Sequence, residues 1–371
     1  MAQNVIPIFF TADESYAPWL DCAVRSMVGN ASADYSYQII VLHQDLTEES
    51  REKIASGVRA PFSIRFVSME VETPPRDASA DIPPEGRGCP RPTIGDWGHN
   101  PARAERAANE RNAAHLGGAE SLAGIADREE NRLRCDYFTL TIYYRLFIAD
   151  RFPEYDKGIY LDSDIVVPGD ISELYQIELG ENLIGACMDR SIVSVPELVD
   201  YVEKAVGTSI DHYINSGILL MNLKKMRQTD FCGHFLRLLH TFHFDCIAPD
   251  QDYINAMCSG KIVYLDEAWD AMPPEGGAGV PELENPHLIH YNLFQKPWCY
   301  DNIPYEEYFW YYAKKSPFYP DIVRFKRKYS DEQKESDRTC LGNLIQKGAR
   351  LARENKTFRK AFENGEKIRV C

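Results

Sequence analysis

Short apolar runs alternate with amphipathic stretches along this chain, and that alternation predicts most of its elements. Val5 to Phe10 is apolar and ends in Thr11-Ala12-Asp13-Glu14-Ser15-Tyr16, a strand running into a loop. Leu20, Ala23, Val24 and Met27 recur at helical spacing over residues 17 to 29. A second strand is predicted at Gln38 to Leu42, and Thr47-Glu48-Glu49-Ser50 reads as a helix start capped by Thr47. Ser63 to Val67 reads as a third strand. Strand–helix–strand–helix–strand implies a parallel sheet with right-handed crossovers. In such sheets ligands sit beyond the carboxyl ends of the strands.

Residues 71 to 133 break the pattern. Pro74-Pro75, Pro83-Pro84, Pro90 and Pro92 come with many Gly, Asp and Arg, and the stretch from Pro101 to Asn131 has few large apolar residues. This reads as a polar insertion, partly helical near 101 to 116, either a plain surface insertion or a substrate-gating lid. Tyr137, Leu140, Tyr144 and Phe147 then predict a helix over 137 to 148, with Arg145 one turn before its end. A short element follows at Ile171 to Tyr175, then a strand from Leu183 to Met188 that ends in Asp189-Arg190. Asn215 and Gly217 precede another buried strand. Phe231 to Phe242 reads as a helix, and Pro249-Asp250-Gln251-Asp252 leads into a further one over Tyr253 to Cys258, where an acidic start is favourable in itself. Lys261 to Leu265 is predicted as a strand, and His287 to Tyr291 is apolar with two histidines.

Candidate chemistry concentrates at residues 158 to 170, Gly-Ile-Tyr-Leu-Asp-Ser-Asp-Ile-Val-Val-Pro-Gly-Asp. A buried-strand pattern meets two carboxylates there, Asp162 and Asp164. Ionised carboxylates at the end of a buried strand are costly unless compensated, and a divalent cation is a common compensator. In a strand, side chains two apart share a face, so both can turn toward one ion. Hard oxygen ligands favour Mg²⁺ or Mn²⁺. Taken alone, Asp-x-Asp more often marks a polar strand end than a metal site.

Composition narrows the picture. A chain of 371 residues with 17 Phe, 21 Tyr and 5 Trp can build one large domain, or one domain with appendages. A net charge of −15 argues against a nucleic-acid partner. None of the ten cysteines forms Cys-x-x-Cys, so zinc and thioredoxin-type sites are not indicated. The N-terminus lacks a signal-peptide pattern, and no apolar run approaches a membrane span. Together these features predict a cytoplasmic protein with reduced thiols.

Four stretches occur in a telling order: strand-Asp-Ser-Asp, Asn-Ser-Gly-Ile-Leu-Leu-Met-Asn-Leu, Asp-Gln-Asp-Tyr-Ile-Asn, and His290-Tyr291 followed after five residues by Pro297-Trp298. In this the chain resembles glycosyltransferase family eight, the group of glycogenin and the bacterial lipooligosaccharide galactosyl- and glucosyltransferases. The resemblance covers roughly residues 5 to 70 and 135 to 315. It implies a GT-A fold, a Rossmann-like α/β architecture with a mostly parallel central sheet flanked by helices. It also implies a UDP-sugar donor, Mn²⁺ (with Mg²⁺ as the alternative) and retention of anomeric configuration. On that basis Asp162, Asp164 and His290 are the metal ligands, whereas a lone histidine would otherwise be a hydrogen-bonded core or surface residue. Lys296 contacts the diphosphate. Ala12, Asp13 and Tyr16 hold the uridine, with Tyr16 stacking on uracil. Arg145, Ser163, Asn215 and Asp250 line the donor. Gln251 lies beneath the anomeric carbon, with Asp189 and Asp252 as further catalytic candidates. For Asp252, capping or stabilising its helix is an equal alternative, and Asn255 is open to the same reading. One departure stands out: in much of the family a glycine follows shortly after the His-Tyr pair, and here that place holds Leu293.

The expected organisation is a glycosyltransferase domain over 1–315, interrupted at about 71–133, and a basic helical tail over 316–371. The aromatic stretch Pro304 to Tyr312 is either core packing or an acceptor-stacking surface. From Leu341 on there are eight Lys/Arg and three Asp/Glu, with Leu341, Leu344, Ile345, Ala349, Leu351 and Ala352 at helical spacing. That suits either a peripheral contact with the inner face of the plasma membrane or an ordinary solvated helix. The function implied is transfer of glucose or galactose from a UDP-hexose to a glycan or glycolipid acceptor in lipopolysaccharide, capsule or other cell-surface assembly. A non-catalytic UDP-sugar-binding relative, acting as a binding or scaffold protein, is the competing reading. Haloacid-dehalogenase-like phosphatases also use strand-Asp-x-Asp, but near the start of the domain and before Gly-Thr, unlike the arrangement here.

Overall fold

The computed structural model describes residues 5–69, 140–273 and 282–370. The insertion expected at 71–133 lies outside them. Nine strands are described: β1 (Val5–Ala12), β2 (Ser36–His43), β3 (Phe62–Ser68), β4 (Gly158–Leu161), β5 (Ile165–Val166), β6 (Ile184–Ala186), β7 (Ile218–Met221), β8 (Ile262–Tyr264) and β9 (Ile289–His290). Seven form one sheet in the order β3-β2-β1-β4-β7-β6-β8, and β5 pairs with β9. Side chains alternate across the sheet. Ile8 and Phe10 join one apolar core and Phe9 the other, so helices cover both faces and the strands read as continuous apolar runs.

The sheet is mostly parallel, as expected, but β7 runs antiparallel to both β4 and β6. That reversal matters for function. The residues leading into β7, Asn215-Ser216-Gly217, arrive at the same edge as the residues leaving β1, β4 and β6. Backbone contacts hold the edge together: Asp162 N–H donates to Gly217 O at 2.7 Å, and Asp189 N–H to Tyr213 O at 2.8 Å.

Local winding departs from expectation in two places. Asp162 and Asp164 are not on a strand but in the turn between β4 and β5. The helix predicted over 137–148 is a 3₁₀ stretch, Leu140–Phe147, followed by one α-turn, Ile148–Arg151; residues 137–139 lie outside the described range. In 3₁₀ winding, residues three apart align, and Arg145 Nε donates to Ile142 O at 3.0 Å.

The aromatic stretch is core packing for most of its side chains. Phe309 and Tyr312 on the helix Glu306–Ala313 are buried, whereas Tyr311 is exposed. Trp298 stacks on Trp19 at 4.3 Å and packs on Phe309 at 4.8 Å. The tail is helical over Asp331–Leu351 and Phe358–Glu363. Leu344, Leu351 and Phe358 are buried in the same core as Phe9, and Phe358 contacts Phe244 and Tyr253. These apolar side chains thus face the protein, which favours the ordinary solvated helix of the two readings of the tail. Among the described residues, no helix is long and apolar enough to cross a membrane.

Candidate active site

The turn after β4 and the short strand β9 supply the centre of the site. Antiparallel pairing sets Ile165 opposite His290, which brings His290 beside Asp164. The ligand atoms of Asp162, Asp164 and His290 all lie within 4.8 Å of one another. His290 Nε2 is 3.4 Å from Asp164 Oδ1 and 3.9 Å from Asp162 Oδ2, and its ring is buried. Burial opposes a charge on the ring, but the Asp164 and Asp270 carboxylates outweigh it and push the His290 pKa up to about 10. Burial likewise favours the neutral form of Asp164, yet the Lys296 ammonium and the His290 ring hold its carboxyl below the usual range.

Around this triad runs a connected polar network. Arg145, itself buried, donates from Nη2 to Asp162 Oδ1 at 2.9 Å and from Nη1 to Ser216 O at 2.6 Å, and its Nε lies 3.2 Å from Asp250 Oδ2. Its guanidinium also sits over the Tyr160 ring at 4.4 Å, and the Tyr160 hydroxyl donates to Asp162 Oδ1 at 2.7 Å. Lys296 Nζ is 2.6 Å from Asp164 Oδ2 and donates to Tyr291 O. The Trp19–Trp298 stack fixes the segment that presents this lysine. On the far side, Gln251 Nε2 donates to Asp189 Oδ2 at 2.8 Å, and Gln251 Oε1 accepts from Ser216 N–H at 3.0 Å. Both ends of that amide are fixed. Asn215 Nδ2 reaches Asp189 Oδ2 at 3.4 Å, and the Ser216 hydroxyl donates to Asp250 Oδ2 at 2.9 Å.

The described residues bring Arg145, Asp162, Asp164, Asp189, Asn215, Asp250, Gln251, His290 and Lys296 into one network. Ser163 joins it to the first loop, its hydroxyl donating to Thr11 O at 2.8 Å. Ala12 ends β1 and is buried. Asp13 caps the turn Glu14–Tyr16, accepting from Tyr16 N–H at 3.1 Å. Glu14 ties this loop to the helix Glu48–Ala55 by accepting from Thr47 N–H and the Ser50 hydroxyl. Asp252 is placed differently from the expected catalytic group. Fully buried, it accepts from the Tyr201 and Tyr213 hydroxyls at 2.7 Å each and from Ala248 N–H. It caps the start of the helix Pro249–Met257 at Ala248 and ties that helix to Tyr201 and Tyr213, and Asn255 ties the same helix to Ile214, whose N–H and C=O its amide brackets.

Ser216, Gly217, Tyr160 and Asp270 were not singled out from the residue pattern as site residues. Ser216 and Gly217 fall within the Asn-Ser-Gly stretch, which was a usable signal. A Cβ at Gly217 would lie inside contact distance of His290 Cε1 and 2.8 Å from Asp162 Oδ2. The His290 ring is held on both sides, so it cannot yield cheaply. Gly217→Ala is therefore expected to leave the fold intact but displace the triad, lowering turnover on the order of 10²-fold; steady-state rates beside a thermal melt check this.

Leu293 has φ +52°, the left-handed conformation that glycine adopts freely, so the backbone keeps a glycine's path despite the side chain. A left-handed Leu costs roughly 1–2 kcal/mol. Alanine would keep that strain and lose packing, whereas glycine would relieve it. Leu293→Gly is expected to be more stable than Leu293→Ala by about 1 kcal/mol, the reverse of the order at an ordinary φ. Denaturant melts of the two variants decide it.

The donor set suits a hard divalent cation: two carboxylates and an imidazole converge, in a site where Asp162 and Asp250 face Arg145 and Asp164 faces Lys296. Comparisons agree with this picture. The signature of Glycosyl transferase family 8 matches residues 7–302. A probable glycosyl transferase Gly of Streptococcus gordonii is 28% identical over 207 residues, 54% of this chain and 28% of the relative. Lipopolysaccharide 1,2-glucosyltransferase of Escherichia coli K12 is 27% identical over 226 residues, 54% of this chain and 64% of the relative. The match thus spans less than two thirds of either relative's length. Among solved structures, galactosyltransferase LgtC in complex with donor and acceptor sugar analogues superposes with a TM-score of 0.59 at 24% identity, over 86% of this chain and all of that one.

Proposed function

Because the chain belongs to glycosyl transferase family 8, we propose that it is a retaining, metal-dependent hexosyltransferase that moves glucose or galactose from a UDP-sugar to a glycan acceptor. The observation that carries the proposal is the convergence of Asp162, Asp164 and His290 beside Lys296. Asp162, Asp164 and His290 would hold Mn²⁺, or Mg²⁺ in its place. When bound, the ion supplies charge neutralisation for the diphosphate. Lys296 would add a second positive charge on the leaving UDP. Ala12, Asp13 and Tyr16 would hold the uridine at the end of β1, with Ser163 tying that loop to the metal turn. Arg145 orients Asp162 and Asp250 for the donor. Asp189, Asn215 and Asp250 would accept or donate hydrogen bonds to sugar hydroxyls.

Retention requires either a covalent intermediate or attack on the face from which the leaving group departs. Gln251 is a poor nucleophile because its amide lone pair is delocalised, and both its ends are hydrogen-bonded. It steadies an electron-poor anomeric carbon instead. The acceptor hydroxyl forms the new C–O bond as the bond to UDP breaks, and its proton passes to the departing phosphate oxygen. The likeness to the lipopolysaccharide glucosyltransferase makes a cell-surface glycan the acceptor class to try first.

The test is a screen of UDP-glucose, UDP-galactose and their N-acetyl forms with Mn²⁺, scoring UDP release. Release from one hexose donor, abolished by chelation, supports the proposal. Donor binding without release, with or without glycan acceptors, would leave a UDP-sugar-binding protein and remove the enzyme.

A further inference from the structure

Asp270 closes the short turn Glu267–Asp270, and its side chain is fully inaccessible to solvent. Its Oδ1 lies 3.1 Å from His290 Nδ1, while its Oδ2 is buried without a hydrogen-bond partner. Among the described residues, His290 is its one ion-pair partner. A carboxylate held this way is a poor contributor to stability, since an apolar residue of similar shape would avoid the desolvation cost. Its placement calls for another explanation.

The surroundings of His290 supply one. Its backbone is fixed, since its N–H donates to Ala271 O at 2.9 Å and it pairs with Ile165. What remains to be set is the rotation of the ring and the choice of tautomer. A carboxylate at Nδ1 settles both: Nδ1 keeps its proton and donates, so Nε2, which faces Asp164 Oδ1 and Asp162 Oδ2, is the nitrogen that would give up its proton to a cation. Asp270 and Ala271 are neighbours in sequence, so one short segment grips the histidine by backbone and by ring.

We propose that Asp270 is a positioning residue of the metal centre, holding His290 in the tautomer and orientation that aim Nε2 between Asp162 and Asp164. The proposal rests on reading those residues as a divalent-cation site. It adds a buried carboxylate, twenty positions before the histidine, to the machinery of that site.

The test is a titration of the full chain with Mn²⁺, following the free-ion signal by electron paramagnetic resonance, with thermal melts in parallel. Wild type, Asp270→Ala, Asp270→Asn and His290→Ala are compared. Asp270→Ala is expected to weaken Mn²⁺ binding by about 10–100-fold without lowering the melting temperature. Asp270→Asn still offers an acceptor to Nδ1–H and is expected to recover most of that loss. If Asp270→Ala fails to fold, Asp270→Ser takes its place. Folded Asp270 variants that bind Mn²⁺ as wild type does would overturn the proposal, as would an asparagine variant no better than alanine. Wild type that binds no Mn²⁺, or His290→Ala that binds it unchanged, would instead overturn the metal reading on which the proposal stands.

Discussion

Replacing Asp164 with asparagine is expected to cut sugar transfer by on the order of 10³-fold while the chain stays folded. Asp164 is the side chain in the turn after β4 that faces both His290 and Lys296. Its Oδ2 pairs with Lys296 at 2.6 Å, and its Oδ1 faces His290 Nε2 at 3.4 Å. Asparagine keeps the shape and one acceptor, so packing changes little. It removes the negative charge that would bind a cation and that balances Lys296, so metal binding and transfer should fall together. Initial rates across a wide Mn²⁺ range separate weakened metal binding, which excess metal restores, from a lost catalytic contribution, which it does not. A rate within a few-fold of wild type would remove Asp164 from the metal centre.

Arg145→Met should be the most destabilising substitution in the site. Arg145 is buried and pairs with Asp162 at 2.9 Å and with Asp250 at 3.2 Å. The Asp250 side chain is only 7% exposed, so little solvent reaches it once the guanidinium is gone. Two terms compete. Removing Arg145 recovers the cost of burying a cation, but it leaves Asp250 uncompensated and strips a donor from Ser216 O. The second term wins for a buried pair broken on one side, at about 3–5 kcal/mol. Arg145→Met is expected to lose that much in denaturant unfolding, and Arg145→Met with Asp250→Asn should recover part of it, because the stranded charge is gone. Arg145→Lys keeps the charge but cannot reach three partners at once, so it should stay folded with poor activity. An Arg145→Met protein as stable as wild type would mean the arginine holds nothing together.

Much of this was legible in the residues. Continuous apolar runs at Val5 to Phe10 and Ile159 to Leu161 marked strands buried on both faces, because both faces are in fact covered. The Asp-Ser-Asp turn, the Asn-Ser-Gly stretch, Asp-Gln-Asp and the His-Tyr to Pro-Trp stretch together named most of the network. The direction of β7 was not legible: a four-residue buried strand carries no sign of its orientation, and only pairing with β4 and β6 sets it. The 3₁₀ winding around Arg145 was equally hidden, since apolar residues three and four apart fit either helix. Asp270 left no trace because it lies twenty positions from His290 in an unpatterned segment, and a fold-made contact joins them. Asp252 misled for the opposite reason. It sits one residue from Gln251, yet helical geometry turns it toward Tyr201 and Tyr213. The tail had the residue pattern of a membrane-binding helix, but its apolar side is spent on Leu198 and the core around Phe358.

The most direct test of the central claim is calorimetric titration of UDP into the full chain, once with Mn²⁺ and once with excess chelator. If Asp162, Asp164 and His290 hold a cation that receives the diphosphate, UDP binds with Mn²⁺ and binding is lost with the chelator. Equal affinity under both conditions, or no binding under either, would contradict a metal-bridged nucleotide at this site.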